Sequence, residues 1–171
     1  MKKTICFLLF VVGVTACKNK YRPPFKTGYE GKSLPAFNIL LPDSSTLFNT
    51  ANIPKGTPLV LMYFLPNCPY SQGEMKNIIN NISNFRNIRF FICTSQPLEQ
   101  LKGFYTYFNL DKYPNITAGV DFKHFVPDYF KPMAVPFTMI YNKNQQLTKA
   151  FVGTLPSKQI EDEIAKFDRV K

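Results

Sequence analysis

The chain alternates short apolar runs with amphipathic stretches, and the runs place most of its elements. "LVLMYF", residues 59–64, is an uninterrupted apolar run of the kind a strand buried on both faces needs, and it follows the turn "KGTP". A shorter strand is predicted in "PAFNILL", closed by the turn "PDSS". After "PNCP", Met75, Ile78, Ile79 and Ile82 recur at helical spacing, which predicts an amphipathic helix from Tyr70 to about Asn84. "IRFFICT" reads as a second buried strand. "PLEQLKGFYTYFNL" reads as a helix opened by Pro97, with Leu98, Leu101, Tyr105 and Phe108 on one side. Between Asp111 and Phe130 the aromatic-rich pattern is interrupted at Pro114 and Pro127. It yields a short strand "ITAGV" and a broken helix "FKHFVPDYF". The end is regular: "PFTMIY", the turn "NKNQ", "LTKAFVG", then a helix from about Pro156 to Phe167. Strands that alternate with helices and finish as a hairpin give an α/β fold, a central mixed β-sheet flanked by helices on both faces.

Composition adds a leader and a location. "MKK" followed by "ICFLLFVVGV" has the basic and apolar regions of a signal peptide, and its apolar stretch is too short to span a bilayer as a stable helix. Val14-Thr15-Ala16-Cys17 resembles the bacterial lipobox, where cleavage precedes a cysteine that takes a thioether-linked diacylglycerol and further acyl groups such as palmitate. The expected division is therefore a signal peptide over 1–16, a flexible tether over 17–32 starting at lipidated Cys17, and one domain over 33–171. Lys, Asn, Pro, Gly and Tyr without periodicity mark the tether, and order is expected from near Leu34. An ordinary cleavage site and an uncleaved anchor are the alternatives. The location implied is a bacterial cell-envelope membrane, with the domain outside the cytoplasm. The net charge of +10 becomes about +8 once Lys2 and Lys3 leave with the signal. No run of Lys or Arg exceeds two, and an exported protein does not meet nucleic acid. The charge reads as a solvated surface drawn to anionic lipid or acidic partners.

Of four cysteines, Cys6 leaves with the signal and Cys17 carries lipid, so Cys68 and Cys93 remain as thiols. One bridge cannot staple a domain of this size, and two cysteines with the single histidine, His124, do not make a zinc set. No metal and no cofactor is implied. Cys68 is the residue with chemistry to explain, because it stands at the mouth of a predicted helix. Oriented N–H groups and the positive end of the helix dipole there favour thiolate.

The segments "GKSLPAFNILL", "KGTPLVLMYFLPNCPYSQGEM" and "AVPFTMIYNKNQQLTKAFVG" resemble the thioredoxin superfamily, nearest to membrane-tethered TlpA-like thiol-disulfide oxidoreductases, over most of the chain from about residue 32. Three landmarks carry the resemblance. They are the turn after a buried strand with Glu74 six positions beyond Cys68, the Val135-Pro136 pair, and Gly153 closing the last strand. The resemblance implies a thioredoxin-like fold with Cys68 as nucleophile. It implies a cis Pro136 lying against the turn, and a substrate groove formed by Tyr70, Val135 and Pro136. The sequence also departs from the family. Ser71 takes the catalytic position of the second cysteine, and a hydroxyl cannot resolve a mixed disulfide, so any exchange is monothiol. Met62 stands where classical thioredoxins bury a carboxylate, and Lys76 replaces the helix proline. Leu61 and Leu65 do not fit the peroxiredoxin pattern, and an exported location does not suit the iron–sulfur cluster of monothiol glutaredoxins. Cys93, at the carboxyl end of its strand, is a candidate resolving thiol if the fold brings it to Cys68, and otherwise a core residue. Two functions stand open. One is thiol-disulfide exchange through Cys68 with envelope proteins that carry thiols or disulfides. The other is a non-catalytic module that binds a partner peptide.

Overall fold

The computed structural model describes residues 21–168; the expected signal peptide and the expected lipidation site, Cys17, lie outside them. The seven strands are β1 (Asn38–Leu40), β2 (Leu47–Asn49), β3 (Leu59–Tyr63), β4 (Arg89–Thr94), β5 (Ile116–Val120), β6 (Phe137–Tyr141) and β7 (Leu147–Val152). The four helices are α1 (Pro69–Asn80), α2 (Leu98–Tyr107), α3 (Phe125–Phe130) and α4 (Ser157–Asp168). They form the mixed sheet that the pattern predicts, in the order β2-β1-β5-β4-β3-β6-β7. β3, β4 and β5 run parallel through their crossover helices, while β6 and β7 return antiparallel.

Alternation along the central strands explains both layers. Val60, Met62, Phe90, Ile92 and Ile140 face one core, shared with Met75 and Ile78 of α1, Leu101 and Phe104 of α2, and Ile160 and Ile164 of α4. Leu59, Leu61, Tyr63, Phe91, Cys93, Phe137 and Met139 face the other, shared with Val126 and Phe130 of α3 and with Phe37 and Ile53. Both faces of β3 are therefore buried, and all five of its residues are apolar or aromatic. In β5, Gly119 admits Ile39 of β1: a Cβ there would lie 2.9 Å from the Cβ of Ile39, closer than packed atoms allow.

Several expectations are corrected. Order does not begin near Leu34. Phe25 donates its N–H to the Ala150 carbonyl and Gly31 donates to that of Leu147, while Leu147 donates back to Lys32. These bonds lay the segment 21–33 along the outer edge of β7, which would otherwise expose unpaired backbone groups. Tyr29 stacks on Tyr129 at 4.4 Å, at the end of a column that continues through Phe125 to Phe37. The first helix stops at Asn80 rather than Asn84. Asn81, a poor helix residue, closes it by donating its N–H to Ile78 and Ile79, and a separate 3₁₀ turn covers Ile82–Phe85. The strand β2 was not anticipated. The broken helix is confined to Phe125–Phe130, between left-handed His124 and Lys131, where buried Asp121 caps it by accepting from the N–H groups of Phe125 and Val126.

Candidate active site

β3 delivers the chain to the carboxyl edge of the sheet, where Phe64 donates its N–H to the Cys93 carbonyl and the turn Leu65–Cys68 closes with a 3.0 Å bond from Cys68 N–H to Leu65 O. Cys68 is the N-cap of α1. Pro69 follows at the first helical position, where its missing N–H costs nothing. Gln72 fastens the turn twice: its N–H donates to Cys68 O at 3.0 Å and its side-chain amide to Pro66 O at 2.8 Å.

The Cys68 thiol is partly exposed and lies below its ordinary pKa. Burial is the largest influence and works to raise it. The N–H and hydroxyl of Ser71, with the N–H of Tyr70, favour the thiolate and together outweigh it. The first turn of α1 holds no acidic residue, so nothing cancels the helix dipole at the sulfur. Ser71 is fully buried, and its hydroxyl oxygen also accepts from Leu65 N–H at 3.4 Å. It therefore stands beside Cys68 as a buried hydroxyl and not as a second sulfur.

The other landmarks gather at the same edge. Phe137 is paired with Tyr63, so the antiparallel run of β6 puts Val135-Pro136 beside the strand end from which the turn departs. That peptide bond is cis. Pro136 is buried and Val135 half-buried, and the Pro136 carbonyl accepts from Gly153 N–H at 2.8 Å. Thr154 in turn donates its hydroxyl to the Tyr70 carbonyl at 3.2 Å. Tyr70 itself is 68% exposed and Met133, in the loop leading to Pro136, is 76% exposed. On the opposite side of Cys68 a cleft of about 320 Å³ is lined by Leu65, Asn67, Cys68, Gln96 and Gln100. A larger cavity, about 550 Å³, is far from Cys68: Arg86, Arg89 and Lys143 line it at the other end of the sheet.

Cys93 does not join Cys68. Its side chain points into the core on the face of the sheet away from α1, with no exposure, and burial pushes its thiol well up. Odd and even residues of β4 face opposite cores, and position 93 falls on the wrong side. Met62 packs beneath α1 as an apolar core residue.

Glu74 is the residue that pattern reasoning treated only as a landmark. It has no exposure, accepts from the Thr138 hydroxyl at 2.8 Å and from Leu155 N–H at 3.3 Å, and burial raises it to about 7 against the opposing effect of these donors and of Arg22. A carboxyl that changes charge near neutral pH thus sits in the helix that Cys68 caps, while position 62 is held by an apolar methionine. The signal was present in the sequence: Ser71, Glu74, Met75 and Ile78 form one helical stripe, and all four are buried. Among the described residues no cluster of three His, Cys, Asp or Glu side chains could hold a metal, and no helix is long and apolar enough to cross a membrane.

No protein-family model matches the chain, and no curated protein sequence does. Solved structures do. A secreted disulfide oxidoreductase of Mycobacterium tuberculosis, described as homologous to E. coli DsbE, aligns with a TM-score of 0.61 at 20% identity over 76% of this chain and 95% of its own. The thioredoxin domain of a thiol-disulfide oxidoreductase from Bacteroides vulgatus gives 0.64 at 12% identity, over 81% and 96%. StoA from Bacillus subtilis gives 0.58 at 13%, over 75% and 96%. The fold is thioredoxin-like, as the resemblance implied.

Proposed function

We propose that the chain is a membrane-anchored, monothiol thiol-disulfide exchange protein that acts through Cys68 on envelope proteins carrying thiols or disulfides. The observation that carries this reading is the placement of Cys68: one partly exposed thiol capping a helix N-terminus whose first turn holds no acid, beside Tyr70 and Ser71 groups that favour its thiolate. The thiolate attacks one sulfur of a substrate disulfide, forming a Cys68–substrate disulfide and releasing the second substrate sulfur as a thiolate. That thiolate, or another of the same substrate, attacks the substrate sulfur of the mixed bond and frees Cys68. No net electrons move, so disulfide isomerisation needs no second cysteine in the enzyme. Substrate binds against Tyr70, Val135 and Pro136. Lipid on Cys17 holds the domain at the membrane, outside the cytoplasm.

A second reading, a module that binds a partner peptide without turnover, is favoured by the exposed Tyr70 and Met133 beside a site whose fourth position is serine. Alkylation of Cys68 against pH separates the two, with Cys68→Ala and Cys93→Ala assigning the signal. An apparent pKa well below the free-cysteine value of about 8.5 supports exchange. An ordinary or unreactive thiol overturns it in favour of the binding module.

A further inference from the structure

The segment expected to be a loose tether is gripped beside the active site. Gln159, buried in α4 with 1% exposure, accepts from the Arg22 N–H at 2.8 Å and donates its side-chain amide to the Arg22 carbonyl at 2.7 Å. One carboxamide thus satisfies both backbone groups of one residue, as a neighbouring strand would. Tyr21 adds a bond from its hydroxyl to Asp162. Held there, the Arg22 guanidinium lies over Gly153, where a Cβ would stand 3.6 Å from its Cζ, and Nε donates to the Thr154 carbonyl at 3.3 Å. Gly153 is bonded to Pro136 and Thr154 to Tyr70, and the next residue, Leu155, donates to Glu74.

We propose that Arg22 is a positioning residue of the active site: clamped by Gln159, it braces the Gly153–Leu155 connection and places a cation across the Thr154–Leu155 peptide from buried Glu74, one bound to its carbonyl and the other to its N–H. The groups facing Glu74 support this. β6 presents the Thr138 hydroxyl, the β7–α4 connection presents the Leu155 N–H, and among the described residues Arg22 is the charged side chain that bears on the carboxyl, opposing the effect of burial. The arm that leads back to Cys17 therefore sets part of the charge of the active-site helix. Lifting it off α4 removes a positive charge from Glu74 and a brace from the Tyr70 carbonyl. Its bearing on exchange rests on the function proposed above, but its effect on Glu74 does not.

The test reads Glu74 directly. The sequence holds five glutamates, Glu30, Glu74, Glu99, Glu161 and Glu163, so carboxyl-labelled glutamate gives a tractable carbon NMR titration of the complete chain, with Glu74→Gln assigning its line. Arg22→Gln should move the Glu74 midpoint upward by on the order of half a pH unit, the size expected of a nearby charge that is itself open to solvent. Arg22→Lys should restore most of the wild-type midpoint, and Gln159→Ala, which keeps the charge but releases the clamp, should move it in the same direction as Arg22→Gln. An unchanged midpoint in Arg22→Gln overturns the proposal, and so does an equal shift in Arg22→Lys. If Arg22→Gln does not fold, Gln159→Ala decides alone. A wild-type Cys68 that proves unreactive would sink the exchange function while leaving this titration readable.

Discussion

Ser71→Ala isolates what the serine does at the nucleophile. The side chain is buried, and its hydroxyl is one of the three neighbouring groups that pull the Cys68 thiol down. Because bonds to sulfur are long, the ordinary net value of a hydrogen bond applies, about 1 kcal/mol, rather than the larger figure for tight bonds to charged oxygen. One pKa unit corresponds to about 1.36 kcal/mol, so at a pH below the thiol's pKa the thiolate fraction falls roughly fivefold. The thiolate that remains is more basic and more nucleophilic, and at a Brønsted slope of about 0.4–0.5 it recovers nearly half of the logarithmic loss. The alkylation rate should then drop only about two- to threefold near neutral pH, while the midpoint of the rate–pH curve moves up. The assay is iodoacetamide alkylation over about pH 5 to 9 in a Cys93→Ala background. A midpoint that stays in place would refute the assignment of the Ser71 hydroxyl as a donor to sulfur. A large drop in rate without movement of the midpoint would point instead to a collapsed turn.

Four further outcomes follow. Ser71→Cys puts a sulfur one turn into the helix that Cys68 caps, and oxidation should close a 68–71 disulfide, seen as a loss of about 2 Da in intact mass; free thiols persisting at both positions would contradict this reading of the turn. Glu74 has a folded pKa of about 7 against 4.5, so below about pH 4.5 both states are protonated and no penalty exists. As pH rises to about 7 the unfolded chain ionises first and stability falls by about 3 kcal/mol, then levels off. Urea midpoints at acid and alkaline pH should show this fall in the wild type and lose it in Glu74→Gln; an equal fall in both would remove Glu74 as its source. Native protein should label at Cys68 and not at Cys93 until denaturant is added, because Cys93 is fully buried and its thiol is pushed up. Gly119→Ala forces a methyl against Ile39 and should cost about 1–3 kcal/mol in urea unfolding, whereas a neutral effect would mean that β1 yields freely.

The strands that were legible in the sequence are those with two buried faces. β3 is an unbroken apolar run, and β4 and β6 are nearly so, because α1, α2 and α4 cover one side and α3 with Phe37 and Ile53 covers the other. β2 has only three residues at the sheet edge, with Leu47 56% exposed, so no alternation could mark it. The arm was misjudged for a different reason. Its anchors are backbone bonds to β7, two isolated aromatic rings, Phe25 and Tyr29, and a distant glutamine, and none of these produces periodicity. A composition of Pro, Gly and Lys says that a segment cannot make a helix or a core strand. It does not say that the segment is free.

The site divides along similar lines. Cys68 could be placed at a helix start because a strand, a turn and a helix follow in local chain order, whereas Tyr70 and Pro136 were named only through the family resemblance. Cys93 could not be judged, since which face it occupies depends on the parity of β4 against β3, settled only by the register that pairs it with Tyr63. Glu74 was hidden by the search for apolar periodicity, which follows Met75, Ile78, Ile79 and Ile82 and so carries the helix past its end at Asn80. The buried stripe is Ser71, Glu74, Met75 and Ile78, and the two polar members are those that bear chemistry. Burying Glu74 costs about 3 kcal/mol above neutral pH even after its two hydrogen bonds have offset part of the burial, and an apolar residue would fill the same stripe without that cost. A helix that begins at a cysteine and puts a carboxyl on its core face is thus built at the expense of stability around a group whose charge changes near neutral pH.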